Sequence, residues 1–358
     1  MQRTIFASIV ALSATALLLS ITTAAQVSQV NQTIAGQAAP GHGLQLNFSV
    51  SGNPIHIFPP EDTVKALGAQ NNGGTPPLIY HGGPVMLTTT VYAIYWAPPH
   101  LQNGHATSLS TAYQTVQNNM FKEYFGHSLA TNNTQYYQGS SPKKYIKGTG
   151  SFGGAYVDTS LYPGSHCNDP SPELTNGTNC INDTDLQNEI QKVMTLKGWT
   201  GGLNKMFLLF TSSDEGQCAG VGSCSYVQYC AYHSSFVNSS SQTVIYGNEP
   251  YGDTNVCQIS GAPSPNGNPA ADTAATAASH ELTEAITDPL GTAWWDSSGY
   301  EIGDECAYFS GFAGYLSGNA DELWDGHPFF LQTEYSNVLQ NWNIDPNFPG
   351  CFNAGPDL

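Results

Sequence analysis

The sequence is short of charge, and above all of positive charge. Only 10% of its 358 residues are charged, and nine lysines and arginines face 27 acids, for a formal net charge of −18. That balance excludes the electrostatic footprint of a nucleic-acid binder and repels anionic membrane surfaces. Beyond the N-terminus no apolar run is long enough to cross a bilayer as a helix. No Gly-x-Ser-x-Gly elbow occurs, which removes the commonest serine-hydrolase signature. With so few charges, solubility rests on Ser, Thr, Asn, Gln and Gly, a composition suited to an exported setting.

What is present begins with Met1-Gln2-Arg3, an apolar run from Ile5 to about Ile21, and Thr23-Ala24-Ala25. A basic start, an apolar core and small residues before a cut describe a signal peptide over residues 1–25. An uncleaved anchor is the alternative, and the small residues favour cleavage. The mature chain is therefore expected to be secreted, with no membrane association after signal cleavage. The eight cysteines all lie from Cys167 onward. In an exported chain they read first as disulfides, with Cys167 and Cys180 forming a local clip. A structural zinc site from Cys218, Cys224, Cys230 and Cys257 is the competing reading, disfavoured by irregular spacing. Paired cysteines also argue against a cysteine nucleophile.

Residues 26–76 are rich in Gln, Asn, Gly and Pro without a lasting period, and read as an extended leader or pro-like segment. Residues 77–358 read as one large domain. Strands are predicted at Val85–Trp96, Met206–Thr211, Tyr226–His233, Val244–Tyr246 and Phe329–Tyr335. Helical spacing marks Leu109–Phe125, and a capping box at Thr184–Gln187 opens a helix to about Lys197. Asn268-Pro269 can cap and start an alanine-rich helix that ends by Asp288, before Pro289 and Gly291.

That last helix carries His280-Glu281-Leu282-Thr283-Glu284. Residues four apart share a helix face, so His280 and Glu284 can close on one metal ion, with Glu281 placed to act on its water. The pattern is the His-Glu-x-x-His zinc motif with glutamate in the last position. A hydrolytic site needs a third ligand. Glu301-Ile302-Gly303-Asp304-Glu305 supplies it, with Asp304 preferred and Glu301 as alternative or support. Asp288 lies two turns from His280, roughly 12 Å along the axis, too far to share the ion unless the chain bends. Glu281 is the expected general base. The bland reading is a buried histidine with glutamates on a solvated face. Against it, an apolar helix carrying three ionisable groups needs a partner such as a metal. His233, between Tyr232 and Ser234, reads as structural. His327 reads as a turn residue, with donation to an oxyanion as the alternative. Trp294-Trp295 reads as core, or as the lining of a substrate or sugar groove.

Several blocks resemble the phosphate-induced (exordium-like) secreted family. These are Leu78–Pro84 followed by the strand to Trp96, Met206–Ser212 followed by Cys218–Ser235, and Thr287-Asp288-Pro289 with Gly291, an aromatic pair, Glu301 and Cys306. The resemblance covers residues 77–351. The family's plant members, linked to cell-wall growth, differ in lacking the pentad, so this chain is more similar to a microbial, zincin-like branch. The expectations are then an α+β fold, with a zincin-like mixed sheet, an active-site helix and a disulfide-rich loop region. The expected activity is that of a secreted zinc metallopeptidase acting on protein or peptide. A non-catalytic exordium-like cell-wall or cell-surface protein, binding cell-wall polysaccharide, is the alternative.

Overall fold

Unbroken apolar stretches such as Met206-Phe207-Leu208-Leu209-Phe210 require a strand covered on both faces, and the central sheet is built that way. The computed structural model describes residues 45–46, 53–67, 77–309, 319–340 and 349–352. Seven strands form the sheet: β1 (Gln45–Leu46), β2 (Ile55–Phe58), β3 (Thr89–Trp96), β4 (Gly150–Asp158), β5 (Lys205–Phe210), β6 (Ala231–Val237) and β7 (Thr243–Glu249). Their order is β1-β2-β6-β7-β5-β3-β4. The β7, β5, β3 and β4 strands run parallel, whereas β6, β2 and β1 join by antiparallel pairing. The fold is α+β with a mixed sheet.

Three longer helices cover the sheet: α1 (Thr111–Glu123), α2 (Asp183–Lys197) and α3 (Pro269–Thr287). Alternation along the strands decides which face each helix meets. Val91, Ala93, Met206, Leu208 and Ile245 share a core with α1 and α3. Ile94, Phe207, Leu209, Val244 and Tyr246 pack instead on Leu186, Ile190 and Val193 of α2. In α3 the Asn268 side chain accepts from the Ala271 N–H, and Pro269 fills the first turn, where its missing donor costs nothing. Every residue from Ala271 to Thr287 is buried. Its alanines let the helix approach the sheet closely, and its polar face is enclosed with the rest.

Several predicted bounds shift for local reasons. The α2 capping box is Asn182 with Asp185 rather than Thr184 with Gln187, because Asn182 holds the extended conformation that a cap needs. β6 starts at Ala231, since Tyr226 takes φ 59° in the preceding turn. Residues 329–335 are not one strand. His327–Phe329 pairs with Glu322–Trp324, and Glu334–Tyr335 pairs with Cys351–Phe352.

The expected signal peptide lies outside the described residues. Within residues 26–76, read above as a leader, Ile55–Phe58 pairs with β6 and is fully buried. Four apolar-rich residues are too few to leave a period in a polar stretch. All eight cysteines are paired: Cys167–Cys180, Cys218–Cys224, Cys230–Cys257 and Cys306–Cys351. The local clip is as expected. The alternative four-cysteine zinc site is overturned, because those thiols are spent in two disulfides.

Candidate metal centre

One helical turn sets the first half of the centre. Nε2 of His280 stands 3.1 Å from Oε1 of Glu284 and 4.0 Å from Oδ1 of Asp304. Asp304 arrives on the short turn Asp304–Cys306, and its N–H donates to Glu284 Oε1 at 3.1 Å. Its Oδ2 accepts from the N–H of Glu301 at 3.0 Å, which locks the turn. Gly303 makes the approach possible, since a Cβ there would lie 2.5 Å from His280 Nδ1 and 3.0 Å from Glu284 Oε1. The donor atoms of His280, Glu284 and Asp304 lie within 4.8 Å of one another.

Two histidines outside the motif join the cluster. His233 of β6 donates from Nδ1 to Glu281 Oε2 at 2.8 Å, and its Nε2 faces Glu301 Oε2 at 3.7 Å. His56 of β2 places Nδ1 2.8 Å from that same Glu301 oxygen, and its ring stacks on His233 at 4.8 Å between centroids. Glu301 thus sits on the His56–His233 side and Asp304 on the His280 side. The structural reading of His233 missed this placement. Tyr232 and Phe236 belong to the α2 face, so alternation alone turns His233 toward the helix that bears the motif. For His56 the sequence offers only the Ile-His-Ile-Phe alternation.

Charge is the dominant physical fact here. No lysine or arginine follows Lys205 in the sequence, and among the described residues no ion pair within the cluster uses either residue. Glu281, Glu284, Asp288, Glu301 and Asp304 are all buried. Burial pushes Glu284 up to about 8 and Asp288 up to about 7. Burial and then the neighbouring carboxylates hold Glu281, Glu301 and Asp304 well above the usual range. Burial lowers His280 to about 4, against the pull of Asp304. It also lowers His233, with the His56 and His280 rings adding to the effect and the Asp288 carbonyl facing the ring opposing it. Carboxylates crowded in low dielectric take up protons or cations.

Several donor atoms of the cluster lack a partner. Nε2 of His280, Nε2 of His233, Oε1 of Glu281, Oε2 of Glu284, Oε1 of Glu301 and Oδ1 of Asp304 are buried without a hydrogen bond. Unpaired buried polar atoms are costly, and nitrogen with carboxylate oxygen is a donor set that fits zinc. One contact works against ligation at His280. The Gln332 amide nitrogen donates to Gly303 O at 3.0 Å and approaches His280 Nδ1 at 2.8 Å, while its oxygen accepts from the Tyr308 N–H. That arrangement leaves the ring proton on Nε2. A metal at Nε2 therefore requires the proton to move to Nδ1 and the amide to turn.

The remaining sequence candidates lie elsewhere or act indirectly. Asp288 caps the end of α3, where its Oδ1 accepts from the Thr292 and Ala293 N–H groups. His327 pairs with Glu123 at 2.6 Å. Trp294 is buried among Tyr80, Tyr136 and Tyr137, and Trp295 stacks flat on His81.

No protein-family model, curated protein or solved structure matches this chain. The likeness to the exordium-like family rests on its sequence blocks alone.

Proposed function

We propose that this chain is a secreted zinc-dependent peptidase, with His280, Glu284 and Asp304 holding the ion, Glu301 supporting them, and Glu281 serving as general base. The observation that carries the reading is the convergence of three donor atoms, with the adjoining helix residue Glu281 buried and its Oε1 without a hydrogen bond. Zinc, when bound, supplies Lewis acidity that brings a water's pKa toward neutrality. The chain does the rest. His233 fixes Oε2 of Glu281, so Oε1 is the atom that takes a proton and returns it to the leaving amine. The raised proton affinity of Glu281 in the metal-free site suits the return of that proton, and a bound cation would favour the ionised form that accepts it first.

The centre is closed to solvent. β2 lies across it, with the Phe58 ring 4.5 Å from that of His280. In this reading the segment that carries β2 acts as a pro-like cover, and a peptide reaches the site only when β2 leaves β6. The test is a zinc assay and peptide hydrolysis on purified protein after release of that segment. Glu281→Gln is expected to keep its zinc and lose about 10²–10⁴-fold in rate. Full activity of that variant, or protein without zinc, removes the proposal.

The closure also favours a second reading, a non-catalytic cell-wall or cell-surface protein with a structural ion. Glycan binding that survives chelation, without hydrolysis, selects it.

A further inference from the structure

His56, His233 and Glu301 come from β2, β6 and the turn after α3, three segments far apart in sequence. Their donor atoms lie within 4.8 Å of one another. Nδ1 of His56 and Nε2 of His233 stand 2.8 and 3.7 Å from the same oxygen of Glu301. Ligands about 2.0–2.1 Å from one tetrahedral ion are roughly 3.4 Å apart, and these separations bracket that value.

We propose that His56 Nδ1, His233 Nε2 and Glu301 Oε2 hold a second divalent cation of the zinc and cobalt class. It rests on the reading above only in being second to the ion at His280.

Three further observations support it. His233 Nε2 is buried at 1% exposure with no hydrogen bond, while Nδ1–H is committed to Glu281. That tautomer leaves the Nε2 lone pair pointing at Glu301, and a carboxylate behind the far ring nitrogen is the usual support for a ligating histidine. The His233 ring does not have to rotate, in contrast to His280 with its Gln332 amide. The stacking of His56 on His233, with ring planes 18° apart, fixes both imidazoles.

The third is charge. When ionised, Glu281, Glu284, Asp288, Glu301 and Asp304 carry five negative charges with no lysine or arginine among them. One divalent ion offsets two of these, and a second leaves a single one. Two nitrogens with one oxygen select a transition-metal ion over calcium or magnesium. Because His56 belongs to β2, such an ion staples the N-terminal strand to the body of the protein.

The experiment is Co(II) and Zn(II) titration of the full-length protein, followed by metal content and cobalt absorption, with hydrogen exchange of residues 53–67 as a separate readout. Two equivalents are expected for the wild type. His56→Ala and His56→Gln should each lose one equivalent, along with at least tenfold of the metal-dependent slowing of exchange over 53–67. Asp304→Asn should lose the other and keep that slowing. If His56 variants bind as much metal as wild type, or the wild type binds none, the second site is overturned. If Asp304→Asn alone leaves the content unchanged, the His280 centre fails and this one stands.

Discussion

A Cβ on residue 303 would stand 2.5 Å from Nδ1 of His280. Gly303 has an ordinary backbone conformation, so its need is for space and not for an unusual turn. Gly303→Ala should therefore push the Asp304 turn away from α3 at a cost of about 1–3 kcal/mol. Thermal unfolding should show the loss, and metal titration should show weakened binding at the His280 centre. An unchanged affinity would mean that Asp304 is not a ligand.

Gln332 sets the tautomer of His280. Gln332→Glu replaces the amide donor by an acceptor for Nδ1–H and frees Nε2 for a metal. We expect binding about 10-fold tighter, within the range for partners that orient a ligating histidine, and a less stable metal-free protein because the new carboxylate faces Gly303 O. Calorimetric titration checks the first and thermal unfolding the second. Weaker binding would mean that His280 does not ligate through Nε2.

The pH dependence follows from the acids. Glu284 and Asp288 have folded values raised to about 8 and 7, above those of an unfolded chain. Their contribution to metal-free stability is full below about pH 4 and is lost as pH rises through 7 to 8. A cation replaces those protons, so its affinity should climb over the same range. Unfolding temperatures with and without chelator, taken from pH 5 to 8.5, should diverge as pH rises. Parallel curves would rule out proton–metal competition at these groups.

Cys306–Cys351 closes a 45-residue separation two residues beyond Asp304. Cross-links over such lengths stabilise by about 4 kcal/mol in the chain-entropy view. Replacing both cysteines by serine should lower stability by about that amount and loosen the Asp304 turn, read as weaker Co(II) binding. Loss of stability without loss of affinity would show the turn to be held by its own hydrogen bonds.

Much of the architecture was legible because its signals are local. Asn268-Pro269 and Pro289 bracket α3, and unbroken apolar runs mark the central strands. Spacing brought His280 and Glu284 together, and the Glu301–Asp304 segment folds beneath them as anticipated. His233 and His56 were not legible as members of the cluster. Their placement depends on strand register and on sheet order, which bring residues 56, 233 and 301 together only after folding. Gln332 was invisible for the same reason, since nothing in a lone glutamine announces which imidazole it will meet.

The cluster's isolation from water bears on how the protein would come to hold an ion. His280, Glu281 and Glu284 expose none of their surface, and Asp304 only 4%. With its ligands so enclosed, an ion would enter and leave as the protein opens locally, and a titration reads affinity once that opening has equilibrated. The rate at which a chelator strips the ion would then follow the rate of that opening.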